Sequence, residues 1–130
     1  MDRKIDLEAL KKSLTQLEYS VMFEDGTERP GTSPLLAEHR DGIFVCAACG
    51  EQLFDATTKF ESGTGWPSFH DALPGKLETR ADHKLGMERT EYHCARCGAH
   101  QGHVFPDGPA PTGLRYCNNG VSLRFEPRGE

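Results

Sequence analysis

The chain has 130 residues, a formal net charge of −5, 14 glycines and 8 prolines. This length fits a single domain, residues 1–130, and the negative charge argues against a non-specific nucleic-acid binder. No segment approaches the ~20 consecutive apolar residues of a membrane helix. Abundant glycine and proline without long apolar runs predict strands, turns and loops, so the expected fold is mainly β.

The cellular location is predicted from the first residues and from the cysteines. Residues 1–6 lack the apolar region of a secretory signal, which favours the cytoplasm. In that reducing compartment, Cys-x-x-Cys pairs are more typical of metal ligands than of disulfides.

A short helix is expected near the N-terminus. Apolar residues recur there at roughly helical spacing, with lysine and glutamate between them: Ile5, Leu7, Leu10, Leu14 and Leu17. The pattern predicts a helix over about residues 6–18, with this apolar stripe packed against the core.

Strands are predicted through the rest of the chain, which favours two antiparallel sheets rather than a helical fold. Short apolar or alternating runs indicate strands at residues 42–46, 52–54, 90–94, 103–105 and 121–125. Residues 71–87 are polar without a clear period and are predicted to be loop with short strands. Residues 106–113 contain three prolines and two glycines and are predicted to form a turn.

Four of the five cysteines form two matched pairs, Cys46-x-x-Cys49 and Cys94-x-x-Cys97. Each pair lies between a strand-like run and a glycine, as in the two knuckles of a zinc ribbon, and four thiolates complete a closed tetrahedral site. The pairs therefore predict one structural Zn²⁺, with iron bound by the same thiolates as a minor alternative. The competing interpretation is a redox dithiol in one or both pairs.

The fifth cysteine, Cys117, lies in a polar segment beside Arg115. A guanidinium close to the sulfur would favour the thiolate, the nucleophilic form of cysteine, although many free cysteines are only small buried apolar residues. His100 and His103 could orient a substrate or relay a proton, or they could be ordinary polar strand residues. Asp107 could fix a histidine tautomer or cap the following turn.

Trp66 is the sole tryptophan and lies in a segment of glycines followed by proline. It is either a core anchor or a ring that holds an apolar substrate group. The sequence leaves these two interpretations open.

Taken together, these segments resemble the B-type methionine-R-sulfoxide reductase family, over about residues 14–125. The motifs that carry the resemblance occur in the family's order: Gly26-Thr27-Glu28-Arg29-Pro30, Cys46-x-x-Cys49, Lys59-Phe60-Glu61-Ser62-Gly63, Gly65-Trp66-Pro67-Ser68-Phe69, Arg89-Thr90-Glu91, Cys94-x-x-Cys97, His100-x-Gly102-His103-Val104-Phe105 and Gly113-Leu114-Arg115-Tyr116-Cys117-x-Asn119.

The resemblance implies a fold of two antiparallel sheets with a zinc site, and it implies a reaction. Cys117 matches the nucleophile that attacks the sulfoxide sulfur, releases methionine and becomes a sulfenic acid. A thiol reductant, in the family usually thioredoxin, would then restore it. Trp66 matches the aromatic residue that holds the substrate's methyl group. The polar residues around the sulfoxide are matched by His100, His103, Asp107, Arg115 and Asn119.

One departure from the family pattern concerns the reductive step. Thr64 stands where many relatives carry a second, resolving cysteine, so direct reduction of the sulfenic acid by an external thiol is expected. The expected enzyme is a monomer that repairs oxidised proteins or peptides during oxidative stress. The main alternative is a non-catalytic zinc-ribbon module in which Cys117 is inert and Trp66 docks a peptide. A redox sensor would need a free resolving thiol near Cys117, which the sequence does not offer.

Overall fold

In a computed structural model of the protein, the described residues are 7–24, 26–82 and 89–128. They form two N-terminal helices, α1 (Leu7–Lys12) and α2 (Gln16–Phe23), followed by two antiparallel sheets, which confirms the predicted mainly β fold. The strands are β1 (Gly42–Cys46), β2 (Gln52–Asp55), β3 (Lys59–Phe60), β4 (Ser68–Phe69), β5 (Leu77–Asp82), β6 (Arg89–Cys94), β7 (His100–Phe105), β8 (Arg115–Asn118) and β9 (Leu123–Pro127). Within these ranges, no helix is both long and apolar enough to span a bilayer.

The two sheets differ in size. One has three strands in the order β2-β1-β9, and the other has six in the order β3-β4-β8-β7-β6-β5. Strand β8 therefore lies inside the larger sheet, between β4 and β7. Its residues gain a fixed position from backbone hydrogen bonds on both sides.

Aromatic side chains form much of the core. The rings of Phe54 and Phe69 stack with centroids 4.2 Å apart, and Phe44 meets Phe69 edge-on at 5.0 Å. Tyr92 and Tyr116 of the larger sheet meet the same cluster. Because aromatic pairs add to the free energy of area burial, this cluster fixes the larger sheet against the smaller one.

The predicted N-terminal helix is wrong in its continuity, and its first position, residue 6, lies outside the described residues. The chain leaves the helical conformation after Lys12 and starts again at Gln16. Thr15 caps α2: its hydroxyl accepts from the backbone N–H of Glu18, whose carboxylate accepts from the backbone N–H of Thr15. Because this reciprocal capping box satisfies two backbone N–H groups, it favours a new helix that starts at Gln16 over a continuation of α1.

The break also changes which side chains are buried. Leu14 packs against the core, but Leu17 is 53% exposed, contrary to the predicted apolar stripe. The buried side chains of α2 are instead Val21 and Met22, each 1% exposed. A helix restarted at Gln16 therefore turns a different face to the core than the predicted helix would.

Segment 71–87 is more regular than its sequence predicts, where it is described. Strand β5 pairs with β6 along six successive residue pairs, from Leu77 opposite Cys94 to Asp82 opposite Arg89. It is one of the two outer strands of the six-stranded sheet, and residues 78–81 are exposed. Exposed residues on both faces of a strand give no apolar alternation, so the sequence predicts short strands here without their bounds.

A β-bulge in the β6–β7 pair decides where the histidines point. Tyr92 lies opposite Gly102, but His93 lies opposite His100, so Gln101 is an extra residue in β7. In a regular strand, residues three apart face opposite sides of the sheet. The bulge places His100 and His103 on the same face, with ring centroids 5.7 Å apart, and turns Gln101 inward to full burial.

Candidate active site

Cys117 occupies the centre of β8, opposite Ser68 of β4 on one side and His103 of β7 on the other. Directly opposed residues of an antiparallel pair share a face, so these three side chains point the same way. The thiol is half-buried at a cleft of about 100 Å³. The cleft is lined by Thr27, Trp66, Arg89, Gly102, His103, Phe105, Cys117 and Asn119.

Trp66 is held at the edge of this cleft by the segment around Glu28. Its indole Nε1–H donates to the Glu28 carbonyl oxygen at 3.1 Å. The preceding Gly65 has φ +94°, and a Cβ there would lie 2.6 Å from the Cβ of Pro30, so a larger residue would push the two loops apart. Trp66 is thus a half-buried wall of the cleft rather than a fully buried core residue.

Glu28 itself is a buried carboxylate, 3% exposed, that fastens this segment to the chain after β8. Oε2 accepts from the Gly120 N–H at 2.7 Å and Oε1 from the Val121 N–H at 3.0 Å. Burial raises the pKa of Glu28, while the two backbone donors oppose that rise. The carboxylate therefore fixes the tryptophan side of the cleft relative to the cysteine strand.

Arg115 lies two residues before Cys117 on the same face of β8 and interacts with its sulfur. Its Nε and Nη2 donate to the two carboxylate oxygens of Asp107 at 2.9 and 3.2 Å, and its guanidinium carbon lies 4.4 Å from the ring centroid of Phe105. The hydrogen bonds to Arg115 lower the pKa of Asp107, and those to Asp107 raise the pKa of Arg115. The structure thus assigns Asp107 to holding the arginine.

The two histidines have different surroundings. His103 lines the cleft with Cys117, whereas the side chain of His100 is only 3% exposed. His100 Nδ1 lies 3.6 Å from Glu91 Oε1, and Arg80 Nε donates to the other oxygen of Glu91 at 2.9 Å. Glu91 therefore lies beside the imidazole of His100, and the His100 ring packs against the ring of His103.

Glu91 also belongs to a second group of possible metal ligands, with His93 and His100, whose donor atoms lie within 4.8 Å of one another. Arg80 already supplies a cation to this group: its guanidinium bonds Glu91 and lies 3.1 Å from His93 Nε2. A divalent ion would have to displace that arginine against like-charge repulsion.

Asn119 is bonded to the backbone on two sides. Its Oδ1 accepts from the Glu28 N–H at 3.0 Å, and its Nδ2 donates to the Gln101 carbonyl at 3.1 Å. The side chain, 4% exposed, therefore connects the Glu28 segment, which holds Trp66, to strand β7. It also lines the cleft.

The four paired cysteines converge as predicted. Their sulfur atoms all lie within 4.8 Å of one another, with Cys46 Sγ 3.7 Å from Cys97 Sγ and Cys49 Sγ 3.6 Å from Cys94 Sγ. The close contacts join different knuckles, which suits a metal held between them better than a disulfide within either knuckle. Four adjacent thiols can ionise together only beside a cation, because four negative charges would otherwise repel.

The two knuckles have matching backbones. The Gly50 N–H donates to the Cys46 carbonyl at 2.9 Å, and the Gly98 N–H to the Cys94 carbonyl at 2.8 Å. Both glycines have φ near +80°, the left-handed conformation that closes such a turn. Since one knuckle follows β1 and the other β6, a metal ion held by this four-cysteine centre would tie the small sheet to the large one.

A buried hydrogen-bond network connects this centre to the strand of Cys117. The Tyr92 hydroxyl donates to Asn118 Oδ1 at 2.9 Å, and Asn118 Nδ2 donates to Gln101 Oε1 at 3.1 Å. Gln101 Nε2 then donates to Cys46 Sγ at 3.5 Å. The inward side chain at the bulge thus contacts a sulfur of the metal centre, as outer ligand partners in metal sites do.

Of the residues that the sequence singled out, the cleft brings together Cys117, Trp66, His103 and Asn119, and it adds Thr27, Arg89, Gly102 and Phe105. Arg115, bonded to Asp107, and His100 adjoin these residues without lining the cleft. A cysteine between an aromatic wall and a guanidinium–imidazole side is the arrangement of a thiol-dependent enzyme. Sequence reasoning from residue types did not identify Glu28, Glu91 or Gln101, although the first two lie in the motifs that carry the family resemblance. Gln101 had no signal, since only the bulge reveals its direction.

Comparison with known proteins identifies the family. The SelR domain matches residues 14–127. "Peptide methionine sulfoxide reductase MsrB" of Leifsonia xyli subsp. xyli is 51% identical over 125 residues, 95% of this chain and 90% of that protein. The proteins of the same name from Methanosarcina barkeri and Agrobacterium fabrum are 51% and 52% identical over 124 and 118 residues, covering 95% and 90% of this chain and 87% of each relative. The chain belongs to the MsrB family of peptide methionine sulfoxide reductases.

Proposed function

We propose that this protein reduces the R epimer of methionine sulfoxide in peptides and proteins, with Cys117 as the nucleophile. The coarser activity, reduction of methionine sulfoxide, is that of the family to which the chain belongs. The observation that carries the proposal is the position of Cys117, half-buried in a cleft that Trp66 and His103 also line. A non-catalytic peptide-binding module would not need a cysteine there.

The chemistry follows from the thiol and its surroundings. The Cys117 thiolate attacks the sulfoxide sulfur, the S–O bond to the substrate breaks, and oxygen is transferred to give a Cys117 sulfenic acid and methionine. The oxygen gains negative charge during this step and needs a proton or a donor. His103 is the better placed imidazole because it lines the cleft opposite Cys117, while His100 faces Glu91. Arg115 supplies a fixed positive charge on the same side.

To select one epimer, the protein must bind the methyl group and the oxygen of the sulfoxide at different places. Trp66 offers an apolar surface for the methyl group, and His103 in the cleft, with Arg115 beside Cys117, offers donors for the oxygen. In the S epimer these two groups would be exchanged. The oxygen would then lie against the indole ring, where no donor replaces its lost hydrogen bonds to water.

Epimer-resolved turnover tests this proposal. With a peptide containing either the R or the S sulfoxide and dithiothreitol as reductant, we expect turnover of the R epimer to exceed that of the S epimer ~100-fold or more, as expected where a buried polar group would be left unpaired. Chromatographic quantification of methionine peptide gives the rate. Equal rates, or preference for S, would contradict the assignment of the two sides of the cleft.

We further propose that the sulfenic acid is reduced directly by an external thiol, with thioredoxin as the physiological reductant. Thr64 lies beside Cys117, with Oγ1 3.5 Å from Cys117 Sγ, in the place where a resolving cysteine would have to be. The four other cysteines are grouped at the metal centre. Cytoplasmic location and a monomeric state stay predictions from the sequence.

The reductive step gives a second prediction. After one turnover without reductant, peptide mapping should find Cys117 as sulfenic acid, trapped by dimedone, and no intramolecular disulfide. In Thr64→Cys, the new thiol would lie within reach of the oxidised sulfur and a 64–117 disulfide should form instead. A Cys117 disulfide in the native chain would overturn direct reduction.

We also propose that the metal is Zn²⁺, bound by Cys46, Cys49, Cys94 and Cys97. A tetrahedral ion with ~2.3 Å zinc–sulfur bonds separates its ligands by ~3.8 Å, close to the observed 3.6 and 3.7 Å contacts. Four protein ligands leave no open position, so the ion would supply structure and no step of the reaction.

A further inference from the structure

A row of three hydroxyl groups leads from the buried Ser68 to the sulfur of Cys117. Thr64 Oγ1 lies 3.5 Å from Cys117 Sγ, and Ser62 Oγ lies 2.8 Å from Thr64 Oγ1. Ser68 Oγ lies 2.7 Å from Ser62 Oγ and donates to the Trp66 carbonyl at 3.1 Å. We call these three side chains the hydroxyl row.

The backbone fixes the row in place. Ser68 is opposite Cys117 in the β4–β8 pair and is 1% exposed. Ser62 Oγ accepts from the Thr64 N–H at 3.3 Å, and Thr64 Oγ1 accepts from the Trp66 N–H at 3.4 Å. The lone pairs of both hydroxyls are thus partly used by backbone donors, and the hydroxyl hydrogens are directed along the row.

Counting hydrogens gives the row a direction. Each hydroxyl has a single hydrogen. If Ser68 donates to the Trp66 carbonyl, the 2.7 Å gap to Ser62 must hold the Ser62 hydrogen, and the 2.8 Å gap to Thr64 must hold the Thr64 hydrogen. Thr64 then has no hydrogen for Cys117 and can only accept from its S–H. This direction suits the thiol.

The thiolate requires the opposite direction. When Cys117 loses its proton to solvent, Thr64 can donate to the sulfur only if Ser62 donates to Thr64 and Ser68 donates to Ser62. Each hydroxyl keeps its own hydrogen and rotates, and the Trp66 carbonyl loses the Ser68 donor. The exchange gains a hydrogen bond to a charged sulfur, which is about twice as strong as the neutral bond that is lost.

We propose that the hydroxyl row reverses its direction when Cys117 ionises, so that Thr64 becomes the donor that stabilises the thiolate and Ser68 sets the cost of that reversal. Thr64 touches the reacting sulfur and is a catalytic residue by this inference, while Ser62 and Ser68 are positioning residues. The inference rests on the proposed function for the identity of the nucleophile and adds a source of its ionisation.

The proposal predicts opposite effects at the two ends of the row. Thr64→Val keeps the shape but removes the donor to the thiolate. Ser68→Ala removes the need to reverse, because Ser62 can then donate to Thr64 at all times and the Trp66 carbonyl has lost its donor in both states. A general loosening of the loop would move both variants in the same direction.

The other titratable or charged groups near the sulfur stay constant in these variants. Arg115 and His103 flank Cys117 on β8 and β7, Arg89 lines the same cleft, and Tyr92 lies within electrostatic range of the sulfur. Differences among the variants therefore report on the hydroxyl row.

The experiment follows iodoacetamide alkylation of Cys117 against pH in the metal-loaded protein, with mass spectrometry of the Cys117 peptide. We expect the pH midpoint to rise by about one unit in Thr64→Val, as loss of a charged hydrogen bond implies, and to fall by about half a unit in Ser68→Ala. Thr64→Ser should keep the native midpoint. Thr58→Val serves as the matched control, since the Thr58 hydroxyl bonds backbone carbonyls away from Cys117.

Midpoints that do not move, or that move in the same direction in Thr64→Val and Ser68→Ala, would overturn the proposal. If Ser68→Ala does not fold, Ser62→Ala takes its place, because it also frees Thr64 to donate and should lower the midpoint. Alkylation needs no sulfoxide, so this experiment can contradict the hydroxyl-row proposal without contradicting the proposed function. Opposite shifts without sulfoxide reduction would uphold the hydroxyl row and reject the proposed function.

Discussion

Cys117→Ser is expected to abolish reduction of methionine sulfoxide, with a loss of about 10³-fold or more. A serine hydroxyl is hardly ionised near neutral pH and cannot form a sulfenic acid, so both the attack and the oxygen acceptor are lost. The substitution exchanges one atom for a similar one at a half-buried position. The fold and the metal centre should therefore survive, and the loss should be in chemistry alone.

The measurement compares single-turnover rates of native protein and Cys117→Ser with the R-sulfoxide peptide. Metal content and thermal unfolding of the variant give the control, and both should match the native protein. A rate within tenfold of native, in protein of unchanged metal content, would rule out Cys117 as the nucleophile.

Removal of the metal is expected to have the largest effect on stability. An ion held by the four thiolates would link a knuckle after β1 to a knuckle after β6, and without it four thiols lie within 4.8 Å of one another with no cation between them. Metal binding by such sites is largely folding free energy. A loss of ~5 kcal/mol would lower the unfolding temperature of a chain this size by ~20 °C.

Cys49→Ser, which removes one ligand, tests this by calorimetry and elemental analysis. Cys117→Ser is the matched control, since it removes a cysteine outside the metal centre and should keep one ion per chain. If Cys49→Ser kept both its metal and the native unfolding temperature, the four-thiolate site would be refuted.

Much of the fold and of the site could be predicted because some residue patterns have few physical solutions. Two Cys-x-x-Cys-Gly segments after strand-like runs allow little except paired knuckles, and they met as expected. The family motifs gave the fold class. The position of Cys117 in an inner strand was not predicted, because a four-residue polar strand carries no apolar alternation.

Other features were missed for identifiable reasons. Thr15 and Glu18 have the spacing of a capping box, which marks the start of α2, but the apolar periodicity runs across it and predicts one continuous helix. The burial of Glu28 depends on backbone donors some 90 residues away in sequence, which no local pattern can show. The hydroxyl row likewise needs the β4–β8 pairing to exist before its members can meet.

The bulge in β7 has a consequence for how this segment can vary during evolution. Gln101 is the residue that brings His100 and His103 to one face, and its own side chain reaches Cys46 on the other. Substitution of Gln101 would remove its side-chain contacts with Cys46 and Asn118 but keep the bulge, whereas deletion of one residue would rotate His100 away from the face of His103. Natural variants should therefore keep the length of the segment between the second knuckle and His103 unchanged, whichever side chain stands at this position.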